Sequence, residues 1–415
     1  MPDAISSSLI TNDIVLLGLI AATLGAIFWA ADSDIPAFRR FFGIVPALLL
    51  CYFIPAIYNT TGLIDGVGTK LYNPIARDVL LPAALVLLTL SIDLPAIRRL
   101  GPKLLIVFCA GTLGIMLGAV GSFSLFAWLR PETVAGNTWA GMAALAGSWI
   151  GGGANMVAMR EVFEVDATTF GQFAVVDVAI ASLWMAVLLF LAGRSEHYDL
   201  RSGADTRGLD ELRDHVAAYQ ALHGRIASLT DLMLIVGVAF GVVGLAHAVA
   251  VPIAGWFEAN VAWASQFSLT SSYVWVVVLS TTVGLLLSFT RVRQLEGAGA
   301  SKVGTLLLYF LIACIGMQMD LLALLARPWL FALGAVWISI HILCLWIAMK
   351  VTRAPLFYFA IGSQGNIGAA ASAPVVAAAF HPALAPVGVL LGTVGYATGT
   401  YMAYVTGLML RSLAN

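Results

Sequence analysis

The chain has 415 residues, of which 60% are hydrophobic and only 10% are charged, and its mean hydropathy is +0.94. A soluble chain carries about 25% charged residues, so this composition excludes a water-facing surface and predicts an integral membrane protein. The formal net charge is −1 and no basic patch stands outside short loops, which argues against nucleic acid as a partner. The four cysteines lie inside apolar stretches, without the spacing of a metal site.

Apolar stretches of spanning length occur in both halves of the chain. A membrane-spanning helix needs about 20 mainly apolar residues. The first half offers five predicted spans, at 13–32, 43–62, 79–97, 104–129 and 167–193. The second half offers five more, at 231–251, 271–290, 303–322, 328–349 and 384–410. We therefore expect an all-α polytopic membrane protein.

A glycine-rich interruption precedes the final span of each half. The segment 138–163 contains GSWIGGGAN at 147–155, and the segment 355–380 contains GSQGNIG at 362–368. Glycine costs roughly 1 kcal/mol per interior helix position relative to alanine, so each run is expected to break its helix. Broken backbone in a membrane must be buried in protein or line a wet cavity. Two corresponding interruptions of this kind indicate the binding site of a transporter. The sequence is compatible with a full crossing of the membrane by each broken segment and with a re-entrant hairpin.

Both halves have the same order of elements, with four spans, one broken segment and a final span. The third span of each half ends in a similar way, at Asp93 and at Asp320. Such matches in one order indicate an internal repeat. Basic residues cluster after the first and third spans of the first half but after the second and fourth spans of the second half, which predicts inverted orientation. We assign 1–193 to the first repeat, 194–229 to a polar linker and 230–415 to the second repeat.

The linker 194–229 is the only long polar tract of the sequence. Hydrophobic residues from Leu209 to Ile226 recur in it at helical spacing, so part of the linker is expected to form an amphipathic helix. That helix would lie on the membrane surface or dock on the bundle. We favour a solvated connector over a regulatory element as its role.

Polar side chains in the two interruptions are the candidate substrate ligands. Ser148 and Asn155 lie in the first interruption, and Ser363, Gln364 and Asn366 lie in the second. Half-helix N-termini carry partial positive charge and free N–H groups, which suit a substrate carboxylate, while side-chain and carbonyl oxygens suit a cation. The alternative is that glycine and serine only permit close helix packing. That alternative explains the glycines but not the amide side chains beside them.

Asp177 is the main candidate for coupling to an ion, because it lies near the middle of the span 167–193. A carboxylate at that depth costs roughly 2.5 kcal/mol or more and indicates a functional site. The alternative is a structural aspartate bonded to a nearby serine or to broken backbone. The other ion-coupling candidates are Thr393, which aligns with Asp177 in the final span of the second half, and the span-end residues Asp93, Asp320 and Gln318.

The remaining residues with reactive side chains are few. His341 lies inside the span 328–349, where it either carries protons or, as we favour, is satisfied by a serine or a carbonyl. The sequence contains no HExxH, GxSxG or phosphate-binding loop, and no paired intramembrane aspartates. We therefore expect no enzymatic activity, and no cofactor or metal other than Na⁺ as a coupling ion.

The interruptions at 147–155 and 362–368, together with Asp93 and Asp320, resemble the bacterial and plastid membrane proteins called "domain of unknown function 819". The resemblance covers nearly the whole chain. That family is grouped by similarity with the bile-acid, arsenite and riboflavin transporter superfamily and with sodium/glutamate symporters. The resemblance implies an inverted-repeat fold in which two broken helices cross, with elevator-type movement and sodium or proton coupling. In the second half Ala370 stands where Asn155 stands in the first, so a symmetrical pair of asparagines is not expected.

The same resemblance implies that each repeat is divided between a panel domain and a core domain. The panel domain would comprise 13–62 and 231–290, and the core domain 79–193 and 303–410. Many elevator-type transporters dimerise through their panel domains, so a homodimer is expected by analogy.

We predict a secondary active transporter that crosses the inner membrane of a bacterium several times. Its partners would be the lipid bilayer and a small organic solute, more specifically an anion such as an amino acid, a carboxylate or a peptide fragment, coupled to Na⁺ or H⁺. One alternative is a cation/proton antiporter that uses Asp177 alone. An alternative of another class is a membrane sensor or assembly factor that transports nothing, which predicts no stabilisation by ions.

Overall fold

The computed structural model describes residues 8–42, 45, 47–66, 68–93, 97–98, 100–204, 226–318, 327–381 and 384–414. Regular structure in these ranges is helical, apart from one isolated bridge between Ile10 and Ile64. The helices are α1 Asp13–Ala31, α2 Pro36–Phe42, α3 Ala47–Thr60, α4 Leu71–Leu90, α5 Pro102–Leu129, α6 Pro131–Val134, α7 Thr138–Gly151, α8 Gly153–Val162, α9 Ala167–Ala192, α10 Ser195–Ser202, α11 Leu229–Asn260, α12 Ser272–Leu287, α13 Ala300–Gly316, α14 Trp329–Thr352, α15 Leu356–Gln364, α16 Ala369–Phe380 and α17 Ala385–Ala414. Short 3₁₀ helices occupy Ala264–Phe267 and Arg291–Ala298.

Six of these helices, namely α1, α4, α5, α9, α11 and α14, are long and apolar enough to cross a membrane. A seventh candidate consists of α12 and the 3₁₀ helix Arg291–Ala298, which are bent by 94° at the break between them. Helix α13 is apolar but shorter. The predicted all-helical, polytopic membrane protein is thus confirmed for the described residues.

The span of α4 begins at Leu71 rather than at 79, where the sequence predicted the start of the third span, and its first part, Leu71–Leu80, is a π-helical stretch with a kink at the non-helical Asn73. The polar residues Arg77 and Asp78 lower the hydropathy of its first turns, which is why the sequence favoured a loop. In the structure Arg77 pairs with Glu161 at 2.7 Å, and His247 bonds to the Asp78 carbonyl at 2.8 Å. These protein partners keep the polar stretch helical.

The linker contributes one described helix, α10. Its Asp199 carboxylate accepts a hydrogen bond of 2.8 Å from the Leu356 N–H at the start of α15. Partial burial raises the pKa of the Asp199 carboxyl, and the bond from Leu356 opposes that shift. Most of the predicted amphipathic segment falls at 205–225, outside the described residues.

The two broken segments fold as helical hairpins. In hairpin 1, formed by α7 and α8, the rings of Trp139 and Phe163 at its two outer ends are 5.7 Å apart. In hairpin 2, formed by α15 and α16, the rings of Phe357 and Phe380 are 5.4 Å apart in the same way. Residues separated by more than 20 positions on a continuous helix would lie about 30 Å apart. Each segment therefore leaves on the side from which it enters.

These hairpins agree with the re-entrant course that the sequence left open, and they correct the crossing of two broken helices that the resemblance implies. The backbone reverses at Gly152 and Gly368, whose φ angles of +77° and +84° are strained for other residues. In hairpin 1 the two limbs then pack so closely that a Cβ on Gly147 would lie 2.5 Å from the Asn155 carbonyl oxygen. A glycine run predicts that a helix breaks, but the direction of the chain after the break depends on these angles and on packing.

The open ends of the hairpins lie towards opposite ends of α17. Hairpin 2 leads directly into the start of α17, because α16 ends at Phe380 and α17 begins at Ala385. The open end of hairpin 1 lies near the other end of α17, where Phe163 stacks on Tyr404 at 5.9 Å. The distance along α17 from Ala385 to Tyr404 is about 28 Å. The tips of the hairpins consequently point towards each other.

The helices pack in two sets. The scaffold set comprises α1, α3, α4, α11, α12 and α13, and the hairpin set comprises α5, α7, α8, α9, α14, α15, α16 and α17. The closest packing inside the hairpin set joins α5 to α14 and α17 to both hairpins. The main contacts between the sets run from α4 and α12 to α8 and α17. The third span of each half, α4 or α13, thus packs chiefly with other scaffold helices, although the sequence placed both spans in the core domain. The division into a panel and a core domain that move separately stays a prediction.

Candidate functional site

The tips of the two hairpins meet. A Cβ on Gly152 would lie 3.0 Å from the Ala369 Cβ and 3.8 Å from the Gly368 carbonyl carbon. Gly152 and Gly368 are also the N-cap residues of α8 and α16, and neither helix start has a side-chain cap. Two helix N-termini without side-chain caps, each with partial positive charge, are therefore adjacent.

Asn155 fixes the tip of hairpin 1. Its Nδ2 donates to the carbonyls of Gly151 and Tyr396 at 3.0 and 2.9 Å, and its Oδ1 accepts from the Thr400 hydroxyl at 2.6 Å. Both amide hydrogens are thus used, and the oxygen keeps one lone pair for a further donor.

Asn366 makes an equivalent set of bonds at hairpin 2. Its Nδ2 donates to the carbonyls of Gly362 and Phe108 at 2.8 and 3.1 Å, and its Oδ1 accepts from the Thr112 hydroxyl at 2.7 Å. Each asparagine therefore bonds to the carbonyl four residues earlier, to a carbonyl of another helix, and to a threonine four residues along that helix. Sequence alignment placed Ala370 opposite Asn155, but in bonding Asn366 is its counterpart.

Asp177 lies against the tip of hairpin 1. Its two carboxylate oxygens accept hydrogen bonds from the Ser148 hydroxyl at 2.6 Å and from the Trp149 indole N–H at 2.8 Å. The side chain is buried, and no described basic residue forms an ion pair with it. Asp177 is therefore a buried carboxyl group held by neutral donors.

Ser363, which aligns with Ser148, lies in a chain of hydrogen bonds at hairpin 2. His341 contacts the Gly111 carbonyl through Nδ1 at 2.9 Å and the Ser363 hydroxyl through Nε2 at 2.8 Å. A carbonyl only accepts, so we assign the proton of the neutral ring to Nδ1, and Ser363 donates to Nε2. Trp184 in turn donates to Ser363 at 2.8 Å. Both partners foreseen for His341, a serine and a carbonyl, are thus present.

Helix α9 connects the two hairpins. Asp177 and Trp184 are seven residues apart, which places them on one face of α9, two turns from each other. Asp177 holds Ser148 of hairpin 1, and Trp184 holds Ser363 of hairpin 2. A change at Asp177 therefore acts on a helix that bonds to both hairpins.

Gln364 ends the first limb of hairpin 2 and is 2% exposed. Its Nε2 donates to the Ser372 hydroxyl at 2.6 Å, whereas its Oε1 has no hydrogen-bond partner. The predicted substrate ligands Ser148, Asn155, Ser363, Gln364 and Asn366 are all buried in the two hairpins.

The other ion-coupling candidates are dispersed. The Thr393 hydroxyl bonds within its own helix to the Leu390 carbonyl at 2.8 Å. Asp93 pairs with Arg293 at 2.5 Å, and Gln318 accepts from Arg160 at 3.0 Å. Asp320 lies outside the described residues. Among these residues, the structure thus brings none to the Asp177 carboxylate.

A polar cluster beside hairpin 1 was missed by the sequence reasoning. Arg160 and Glu161 in α8 face Tyr72 and Arg77 of α4, with Tyr72 donating to Glu161. The available signal was an Arg-Glu pair inside the broken apolar segment 138–163. In the described part of the chain no three His, Cys, Asp or Glu side chains gather as metal ligands. The polar atoms at the tips are instead hydroxyl, side-chain amide and carbonyl oxygens. Such oxygens can bind a hard cation or accept a hydrogen bond from an N–H group.

Comparison with known proteins agrees with a membrane location. The family model described as "Protein of unknown function (DUF819)" matches residues 18–413. The "Uncharacterized membrane protein YjcL" of Bacillus subtilis (strain 168) is 26% identical over 414 residues, which cover 96% of this chain and 98% of that protein. The match spans both hairpins and both helix sets. This chain therefore belongs to the DUF819 family of membrane proteins.

Proposed function

We propose that this protein is a secondary active transporter whose solute binds where the two hairpin tips meet. The observation that carries the proposal is the contact of Gly152 with Gly368 and Ala369, which brings two uncapped helix N-termini together inside an apolar protein. Unbonded N–H groups are costly in a membrane unless a polar partner reaches them. A small solute with a carboxylate is such a partner.

The proposed substrate is a small organic anion, such as an amino acid, another carboxylate or a peptide fragment. Its carboxylate would accept from the tip N–H groups, and the Gln364 Oε1 and the free lone pairs of the two asparagines would accept from its donors. No chemical conversion is proposed, because transport needs only binding and release on opposite sides.

Na⁺ or H⁺ is the proposed coupling ion, and Asp177 its ligand. Ser148 and Trp149 of hairpin 1 both donate to the Asp177 carboxylate. Neutralisation of that carboxylate by a proton or by Na⁺ would weaken these two bonds, and thereby change the hairpin that contacts the solute.

We further propose that the halves are inverted repeats and that the hairpin set moves along the scaffold set as an elevator, in the inner membrane of a bacterium. The opposite openings of the hairpins along α17 support this arrangement. So does the limited boundary between the sets, which consists mainly of α4 and α12 against α8 and α17. A homodimer through the scaffold set is the corresponding assembly.

The coupling role of Asp177 is tested by thermal unfolding of the purified protein in sodium and in potassium. Sodium at about 100 Kd stabilises the wild type by about 2.7 kcal/mol. Asp177→Asn abolishes that increment and still folds, because the Ser148 hydroxyl can turn to accept from the new amide. Asp199→Asn, whose side chain still caps α15, keeps the increment and is the control.

A full sodium response in Asp177→Asn would make Asp177 structural and place the coupling site elsewhere. A wild type that responds to sodium at no pH, and takes up no solute in proteoliposomes, would favour the membrane sensor. Sodium–proton exchange without any solute would favour the antiporter.

A further inference from the structure

Arg160 of hairpin 1 is a buried cation with unused hydrogen-bond donors. It is 5% exposed, and only its Nη2 bonds to an acceptor, the Gln318 Oε1 at 3.0 Å. Its Nε and Nη1 have no hydrogen-bond partner. Among the described residues, Glu161 brings a carboxylate oxygen to 3.8 Å from Nε, which is beyond hydrogen-bond distance.

Glu161 does not neutralise Arg160 fully, because it is engaged elsewhere. The Arg77 Nε lies 2.7 Å from one of its carboxylate oxygens, and the Tyr72 hydroxyl donates to the other. Arg160 thus keeps a positive charge and donors on two of its nitrogens. A guanidinium in a buried position is stabilised by an acceptor for each donor, and a carboxylate is the acceptor that matches its geometry best.

Aromatic rings from both helix sets surround the guanidinium. The Tyr72 ring of α4 is 4.7 Å away and the Phe170 ring of α9 is 5.1 Å away. The Tyr52 ring of α3 packs beside Phe170, with the two ring centres 6.4 Å apart. The guanidinium thus lies beside aromatic rings at the boundary between the scaffold set and the hairpin set, and small-molecule sites occur preferentially at such boundaries.

The same site is close to the hairpin tip. Arg160 follows Gly153 by seven residues, about 10 Å along α8. Long side chains on a helix lean towards its N-terminus, so the guanidinium is directed back towards the tip. One small solute can therefore reach both the Arg160 guanidinium and the tip of hairpin 1.

We propose that Arg160 binds a second carboxylate of the transported solute, in addition to the one at the hairpin tips, with its Nε–H and Nη1–H groups as donors and with Tyr72 and Phe170 packed beside it. This inference rests on the proposed transport function and defines the substrate as an anion with two carboxylates. The competing role is structural, in which the two rings and Gln318 suffice for Arg160.

The test is thermal unfolding of the full-length protein with acetate, succinate or L-glutamate, each compared with its neutral amide, acetamide, succinamide or L-glutamine. At least one carboxylate is expected to raise the unfolding temperature, and its amide is not. Arg160→Gln is expected to raise the Kd for that carboxylate about 10-fold or more, which is the loss expected for a charged hydrogen bond. The Kd is obtained from the dependence of the unfolding temperature on carboxylate concentration. Arg160→Lys, which keeps the charge without the planar fork, is intermediate and is the second variant should Arg160→Gln fail to fold.

Arg327→Gln is the matched control, because the Arg327 guanidinium already donates hydrogen bonds to the Glu132 and Thr133 carbonyls. It should respond to the carboxylate as the wild type does. Without ligand, Arg160→Gln is expected to unfold no earlier than the wild type, since the change removes a buried charge with unused donors.

A structural arginine predicts the reverse, with a lower unfolding temperature and an unchanged carboxylate response in Arg160→Gln, and that result overturns the proposal. So does a wild type that responds to none of the three carboxylates. If such a wild type still responds to sodium through Asp177, only the anion site falls. If it responds to neither, the proposed function falls as well.

Discussion

Asn155 and Asn366 each hold a helix break together from within. Each amide donates both hydrogens to carbonyls and accepts from a threonine hydroxyl. Buried polar groups in a membrane protein must be satisfied in this way, because lipid offers no partners. The two residues thus position the tips, and only their remaining oxygen lone pairs are open to a solute.

Exchanging the amide for a carboxylate tests that account. Asn155→Asp is expected to destabilise the protein more than Asn155→Ala, because a carboxylate would face the Gly151 and Tyr396 carbonyls without a hydrogen to donate. For Asn155→Ala we expect a loss of about 1–3 kcal/mol from the missing bonds. Thermal unfolding gives the order, with the exposed Asn260→Asp as a control of little effect. An aspartate variant as stable as the alanine variant would contradict the bonding pattern.

At this scale the sequence predicts which residues are buried together but not how they are bonded. Asp177 was expected either to bind an ion or to bond to a nearby serine, and it does bond to Ser148. Arg160 was not among the predicted site residues, although it lies inside the broken segment 138–163. Its burial depends on Tyr72 and Gln318, which are distant in the chain and carry no signal in sequence.

Helices α5 and α14 form the closest contact in the hairpin set. Glycines of α5 face α14, and Trp337 fits against them with its indole N–H bonded to the Ile115 carbonyl at 2.7 Å. Small residues of this kind let helices approach in a membrane, where dispersion forces replace the hydrophobic effect. The contact holds His341 beside hairpin 2.

Two neighbouring glycines of α5 provide a matched pair. A Cβ at Gly118 would lie 2.4 Å from the Trp337 ring and 2.7 Å from its carbonyl oxygen, whereas a Cβ at Gly121 would meet only the Ile340 Cδ1 at 3.0 Å. Gly118→Ala is expected to cost about 1–3 kcal/mol through overpacking. Gly121→Ala should be nearly neutral, since a side-chain end can move. Equal unfolding temperatures for the two variants would contradict the close contact at Gly118.

Element boundaries were predictable where composition alone decides them. The apolar spans appear as helices, and the glycine runs do break them. The sequence left a full crossing and a re-entrant hairpin open for each broken segment, because the choice depends on contact between rings such as Trp139 and Phe163 that are far apart in sequence. The early start of α4 was missed for a similar reason, since Glu161 compensates the charge of Arg77.

Across the whole molecule, polar contacts join the two helix sets along a narrow boundary. The hydroxyls of Thr281 in α12 and Thr400 in α17 are 3.2 Å apart, and Thr282 bonds to Tyr401 at 2.8 Å. Each of these hydroxyl contacts is worth about 1 kcal/mol. The Arg77–Glu161 ion pair at 2.7 Å joins α4 to α8 across the same boundary, and the proposed elevator movement would have to break these few contacts.

A cross-link at this boundary tests the proposed elevator movement. Cysteines at Thr281 and Thr400 lie near enough to form a disulfide on oxidation, in a protein whose exposed Cys109 is replaced by serine. The oxidised double variant is expected to retain the sodium response but to lose solute uptake in proteoliposomes, with recovery on reduction. Each single variant, treated with the same oxidant, controls for the loss of the threonine. Uptake at the full rate through the cross-linked protein would rule out sliding at this boundary.

The bond between Asn155 and Thr400 spans 245 positions of the chain, and it also constrains how the protein is made. When hairpin 1 leaves the ribosome, α17 has not been synthesised, so the Asn155 amide has no Thr400 hydroxyl and no Tyr396 carbonyl to bond to. Its tip must meanwhile remain in water or in the protein-lined interior of the insertion machinery, because lipid would leave those groups unbonded. Hairpin 1 therefore reaches its native position only after translation of α17. A truncation of α17 before Thr400 would leave the Asn155 amide oxygen of hairpin 1 without its partner, although the truncation removes no residue of the first half.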